Sequence, residues 1–348
     1  MTGRSDLGVD LDRLTAWLDD EGIGSGPLTD VRPLGGGTQN VMLRLRRGER
    51  DLVFRRGPRH LRPRSNDALR RELKVLVALD ATDVPHPRAI ASAEADVEGF
   101  GGAVFYVMEP VTGFNPAVEV PAPYDTDPAL RHRAGLAVAR ALAGLGAVDH
   151  VAVGLGDLGR PEGFLERQVP RWRAELASYS GHEGYDGPQL PGIEELGDWL
   201  EANRPAEWSP GLIHGDYHLA NVMLAPEGGD VAAIVDWEMC TVGDPLMDLG
   251  ALLVTWYRGE ETEVVDAALA RAGGIPTPEE LVAEYAAHSV RDVTAIDWYV
   301  AMAGFKLGIV LEGTYARSLA GLAPREIGES QHAATLVLLR RAREAAGL

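Results

Sequence analysis

The stretch "LDRLTAWLDD" near the N-terminus has apolar residues at the spacing of one helix face, which predicts an amphipathic helix. From 28 to 54 the pattern changes to alternation. "VMLRLR" and "DLVFRR" read as β structure, so strand, Gly-rich turn, strand, turn, strand is expected. Ser65 or Asn66 can then cap a helix, "NDALRRELKVLVAL", in which Leu69, Leu73, Leu76 and Leu79 fall near helical spacing. "VPHPRAI" breaks it, and "AVFYVMEPV" reads as a buried strand. "TGFNPAVEVPAPYDTDP" is too rich in Pro and Gly to continue that strand and reads as a hinge into a second lobe.

Beyond the hinge the chain is mostly helical by pattern, over 130–148, 163–178, 193–202, 292–318 and 331–346. Thr277, Pro278 and Glu280 form a capping-box start for "EELVAEYAAHSV". The exception is 211–237, where "GLIHGDYHLANVML", a turn "APEGGD" and "VAAIVDWE" read as a loop feeding a hairpin.

At 348 residues the chain exceeds the usual size of a single core, which implies two lobes. No charge-free apolar run is long enough for a membrane span, since 292–315 carries Asp297, Lys306 and Glu312, and nothing at the start marks export. One cysteine, Cys240, fits a reducing cytoplasm and reads as a small core residue. The net charge of −19 lies entirely after residue 99 and makes nucleic acid an unsuitable partner. By contrast 44–74 packs twelve Lys and Arg against four acids, a landing area for phosphates or simply a solvated basic face.

Chemistry concentrates in "IHGDYHLAN" (213–221) and "IVDWE" (234–238). A hairpin between them returns Asp236 toward Asn221 and Asp216, so two carboxylates and an amide oxygen are expected to converge. Oxygen ligands of this kind suit Mg²⁺, which also binds substrate phosphates. A remaining Asp can take the proton of a hydroxyl attacking phosphorus. With a Gly-rich cover, these are the parts of phosphoryl transfer.

The HxDxxxxN loop with its downstream Asp resembles the signature of the aminoglycoside phosphotransferase and choline kinase-like family. Further segments, "LVFRRGP", "RELKVLVAL", "YVMEPVTG", "VGLGDLGRPEGFLERQVPRW" and "IVDWEMCTVGDPLMDLG", resemble the phosphotransferase domain found in or beside acyl-CoA dehydrogenase-like proteins. The likeness runs from about residue 28 to about 318. It implies an α+β, two-lobed, protein-kinase-like fold: a small β-rich N-lobe over 1–110 that binds nucleotide, and a larger, mainly helical C-lobe over 111–348 that carries the catalytic loop and the acceptor site. On the same resemblance Asp216 is the catalytic base and Asn221 and Asp236 hold Mg²⁺. Gly35, Gly36 and Gly37 cover the phosphates of ATP, or of GTP in its place. Glu72 pairs with the phosphate-binding basic residue, here Arg55. Met108, Glu109 and Val111 hold the base of the nucleotide. His214 and His218 match architectural positions, and Asp244 and Asp248 brace the loop.

Two departures stand out. Arg55 occupies a position where the family usually has Lys, and a guanidinium reaches phosphate differently. Gly146 stands where relatives commonly have His. The expected activity is phosphorylation of a hydroxyl on a small molecule, in the cytoplasm and with no membrane partner. The branch resemblance points to a hydroxyacyl-CoA-like acceptor, and the acidic later part of the chain to a cationic antibiotic, an aminoglycoside or macrolide. Two other classes fit fewer residues. A pseudokinase serving as an interaction module rests on Arg55 alone, and a zinc hydrolase using His214, Asp216 and His218 leaves Asn221 without a role.

Overall fold

A computed structural model of the chain describes residues 7–34, 40–58, 60–61, 63–259, 264 and 268–348. The chain forms two units, one running up to Thr112 and including Ala233–Glu238, the other comprising Gly113–Ala232 and Met239–Leu348.

In the first unit, helix α1 (Leu11–Asp20) starts at Asp10, whose carboxylate accepts from the N–H groups of Asp12 and Arg13. Strands β1 (Leu28–Pro33), β2 (Val41–Arg47) and β3 (Arg50–Arg56) follow, then helix α2 (Ser65–Leu79) and strands β4 (Ala89–Ala93) and β5 (Phe105–Met108). The strands form one antiparallel sheet in the order β1-β2-β3-β5-β4. The two-residue period of β3 sends Leu52 and Phe54 into a core with Leu14, Trp17, Leu18, Leu43, Leu45 and Phe105. Trp17 meets Phe105 edge-on, with ring centroids 4.8 Å apart. The same alternation turns Arg55 away from that core, where it meets Glu72 of α2.

The start of α2 differs from expectation. Arg64, in the left-handed region at φ 73°, holds the cap position instead of Ser65 or Asn66. The Asn66 amide instead donates to Gly102 O at 2.8 Å and accepts from Val104 N at 3.0 Å, fastening the helix start to the loop before β5. Much of the basic run is engaged locally. Arg44 and Arg46 pair with Asp51, Arg70 with Asp67 and Glu94, and buried Arg47 with Asp19 and the carbonyls of Gly26 and Thr15. These arginines are committed to carboxylates and carbonyls of the fold itself.

The second unit begins with α3 (Pro128–Gly146), capped by Asp127 through Leu130 N with Pro128 in its first turn. Helices α4 (Gln168–Ser178) and α5 (Ile193–Ala202) precede strand β6 (Gly211–Ile213). Strands β7 (Val222–Leu224) and β8 (Val231–Ile234) form the expected hairpin, closed by Ala225 N donating to Asp230 O at 2.9 Å; beyond Ala232 the chain enters the first unit. Strand β9 (Thr241–Gly243) returns to pair antiparallel with β6. Then come α6 (Leu246–Thr255), α7 (Ala268–Arg271), α8 (Pro278–Ala287), α9 (Ile296–Leu319) and α10 (Arg325–Ala346). The Thr277–Glu280 capping box is present in both directions.

Helix α6 is buried along almost its whole length, and glycines let α6 and α9, and α9 and α10, approach closely. A Cβ added at Gly250 of α6 would lie 2.3 Å from Tyr299 O of α9, and one at Gly304 of α9 would lie 2.8 Å from Leu338 O of α10. Gly146 has a similar reason: a Cβ there would lie 2.9 Å from Pro245 Cβ and 3.3 Å from the Tyr285 hydroxyl. The departure at this position is thus a packing matter. Among the described residues no helix is long and apolar enough to cross a membrane.

Candidate active site

The loop after β6 is built around a backbone that only glycine fits. Gly215 has φ 89°, and a Cβ on it would fall 2.6 Å from Met239 O. On one side of it, the carboxylate of Asp248 in the first turn of α6 accepts from the N–H groups of His214 and Gly215, at 2.5 and 2.9 Å. On the other, the ammonium of Lys306 in α9 donates to Gly215 O at 2.7 Å. Burial pushes the Asp248 carboxyl up, against the pull of His214 and of the two N–H groups. Asp244, also expected to brace the loop, accepts from Leu246 N and from the Tyr299 hydroxyl, which ties the start of α6 to α9. Asp248→Ala leaves the buried His214 N–H and the partly buried Gly215 N–H without their acceptor, at about 1–3 kcal/mol for a buried donor. A loss of about 2–5 kcal/mol in urea unfolding is expected; an unchanged midpoint would remove the brace.

Asp216 follows, with 37% of its side chain exposed. Asn221 turns its Nδ2 back to donate to Asp216 O at 2.9 Å and Asp216 Oδ2 at 3.0 Å, and His218 Nε2 lies 3.4 Å from the same Oδ2. Burial penalises the Asp216 charge, but His218, His214 and Lys306 outweigh that penalty and hold its carboxyl below the usual carboxylate range. Asp216 is therefore ionised at neutral pH, on a pinned loop. His214 is fully buried, as an architectural residue should be.

Asp216, Gly215 and Asp248 border a pocket whose other walls include Phe164, Gln168, Trp172, Met239 and Lys306. Sequence reasoning did not single out Trp172 or Lys306. The one available signal was Lys306 itself, one of two lysines, set in an otherwise apolar run.

In the first unit, Arg55 and Glu72 form a buried pair, Nε to Oε2 at 2.9 Å. Arg55 Nη2 lies 3.6 Å from Asp236 Oδ1. Asp236 sits at φ 68°, a left-handed conformation that Asp tolerates better than most residues, with its side chain 43% exposed. Burial pushes the Glu72 carboxyl up to about 7, with Arg55 pulling the other way. Burial likewise opposes the charge on Arg55, but Glu72, Tyr106 and Asp236 hold its pKa above the ordinary arginine value. Met108 ends β5, opposite Val53 and Ala89; Glu109 N donates to Arg88 O at 2.9 Å, and Val111 follows, partly buried. Gly35, Gly36 and Gly37 lie outside the described residues.

Two observations, one in each unit, are of the kind a magnesium-bound nucleotide would call on. Arg55 Nη2 is buried without a hydrogen-bond partner, a donor that a phosphate oxygen would satisfy. Asn221 uses its Nδ2 on Asp216, which leaves its amide oxygen as a hard ligand of the type Asp236 also offers. Among the described residues no group of three or more His, Cys, Asp or Glu side chains is arranged to hold a metal ion. Cys240 is buried, as expected of a core residue.

An antiparallel sheet that carries a buried Arg–Glu pair, and a helical unit that carries a braced aspartate loop, are the parts of a two-lobed, protein-kinase-like α+β fold. The chain belongs to the phosphotransferase enzyme family, whose model matches residues 30–285. It is similar to acyl-CoA dehydrogenase family member 11 of Rattus norvegicus, 29% identical over 324 residues, covering 90% of this chain and 40% of that protein. The chain spans less than half the length of the curated relatives it matches. Among solved structures it is similar to one from Ralstonia eutropha provisionally assigned as an aminoglycoside phosphotransferase, with a TM-score of 0.77, 28% identity, and coverage of 96% of this chain and 98% of that one. The GDP complex of aminoglycoside 2′-phosphotransferase-IIIa shares the fold at a TM-score of 0.61 and 15% identity, over 96% of this chain and 99% of that one.

Proposed function

We propose that the chain transfers the γ-phosphate of ATP, or of GTP, to a hydroxyl of a small molecule. The observation that carries this reading is the ionised Asp216 carboxylate, fixed by Asp248 and Lys306 through the neighbouring backbone at the edge of a pocket. In this reading the acceptor hydroxyl donates to Asp216, which takes its proton as the oxygen attacks phosphorus. Arg55, oriented by Glu72, holds phosphate oxygens. Gly35, Gly36 and Gly37 cover the phosphates, and Met108, Glu109 and Val111 receive the nucleotide base. Asn221 and Asp236 hold Mg²⁺, which when bound offsets the charge on the phosphates. The unit before Thr112 is the nucleotide side and the helical unit the acceptor side, and the enzyme works in the cytoplasm.

For the acceptor we favour a hydroxyacyl-CoA-like metabolite, because the matched relatives carry acyl-CoA dehydrogenase names. The antibiotic reading is favoured by the assignment of the Ralstonia structure. The test is an acceptor screen read by ADP release, with hydroxyacyl-CoAs and aminoglycosides side by side, together with ATP titrations with and without Mg²⁺. Turnover of a hydroxyacyl-CoA and loss of Mg²⁺-dependent ATP binding in Asp236→Ala are expected. ATP binding without turnover of any acceptor would make the chain a nucleotide-binding module instead.

A further inference from the structure

The pocket beside Asp216 has a charge pattern that the composition of the chain conceals. The chain as a whole carries −19, a balance that suits a polycationic acceptor. Among the described residues the lining of this pocket contains two carboxylates, Asp216 and Asp248. Asp248 already accepts from two backbone N–H groups, and Asp216 is the proton acceptor of the reaction proposed above, on which this inference rests. No further carboxylate among the lining residues is available to receive an ammonium group. The same lining holds two basic side chains, Lys306 and Arg171, disposed about one aromatic ring: the Arg171 guanidinium lies 4.9 Å from the Trp172 ring centroid and Lys306 Nζ 5.9 Å; burial lowers the Lys306 pKa, and Asp248 and Asp216 oppose that pull. Arg171 is exposed, whereas Lys306 is only partly so. Among the described residues Lys306 has one hydrogen-bond acceptor, Gly215 O, which uses one of the three N–H donors of its ammonium. Phe164, Met239, Ala303 and Leu307 give the remaining wall an apolar character suited to a hydrocarbon body.

We propose that Lys306 is the specificity-determining residue of the acceptor pocket: its ammonium, fixed on the Gly215 carbonyl, selects a hydroxyl compound that carries an anionic group and an apolar chain, and turns away polycations. Placing a second cation against Lys306 and Arg171 opposes binding, while an anion gains a donor already oriented by the loop. Because the same ammonium touches the residue before Asp216, a correctly charged acceptor is held where its hydroxyl meets the base.

The test uses the full chain loaded with Mg²⁺ and a non-hydrolysable ATP analogue, whose binding is measured first by calorimetry. Two probes follow, 3-hydroxyoctanoate and kanamycin. Wild type is expected to bind the hydroxy acid at least about tenfold more tightly than kanamycin. Lys306→Glu is expected to shift that preference toward kanamycin by about tenfold or more, and Lys306→Met, which keeps the aliphatic stem without the charge, to fall between. Equal binding of the two probes by wild type, no binding of the hydroxy acid, or a preference unmoved in Lys306→Met overturns the inference and leaves the kinase reading standing. Failure of wild type to bind the nucleotide analogue overturns the kinase reading, and this inference with it.

Discussion

Asp216→Asn lowers turnover by about 10²- to 10⁴-fold, with little change in the affinity for Mg²⁺-ATP. The amide has the volume of the carboxylate but cannot take a proton from the attacking hydroxyl. The loop keeps its shape, because Asn221 also donates to the backbone carbonyl of Asp216 and Asp248 holds the two preceding N–H groups. The pH profile follows from the direction of the shift. The Asp216 carboxyl is held below its ordinary value of 3.8, so it stays ionised at neutral pH and its protonation limb falls below that value. Any stability gained from its charge is present above the ordinary carboxylate pKa and is lost only as the pH falls toward the lowered one. Single-turnover rates across pH check both statements. An undiminished rate in Asp216→Asn would remove the proposed base.

Arg55→Met is expected to cost about 3–5 kcal/mol of stability, because it leaves the Glu72 carboxylate buried without its partner. It is expected to weaken nucleotide binding as well, since the guanidinium that meets Glu72 also carries the buried Nη2, which has no hydrogen-bond partner and lies beside Asp236. The two effects separate in the double variant Arg55→Met with Glu72→Met. Replacing both partners by apolar residues should restore most of the stability but none of the nucleotide affinity. Urea unfolding and ATP titration on the three proteins measure this. Recovery of binding together with stability would reduce Arg55 to a packing residue.

The parts of this fold that could be read in advance are those written locally. Helix Ile193–Ala202 and the capping box at Thr277 and Glu280 announce themselves within ten residues, and the β2 and β3 strands by strict alternation. Helix α6 was not anticipated, because a helix buried on nearly all sides has no polar face to give a period. Strands β6 and β9 were missed for a different reason: each is three residues long, and they pair across more than twenty-five residues of intervening chain. The α2 cap was misread because Asn66 serves a distant loop rather than its own helix. The candidate site divides the same way. Asp216, Asn221 and Asp236 belong to a recognisable spacing, whereas Lys306 reaches Gly215 from ninety-one residues away and shows in the sequence only as a lone lysine in an apolar run.

Gly250 and Gly304 bear on how this enzyme tolerates change. Where one helix rests directly on the carbonyls of the next, no rotamer can absorb a displacement, so α6, α9 and α10 respond to substitution as a single block. Asp248 and Lys306, the two clamps on Gly215, ride on that block. A bulky residue on the inner face of α10, far from any phosphate, would therefore register as a misplaced base and a slower reaction before it registered as an altered preference among acceptors.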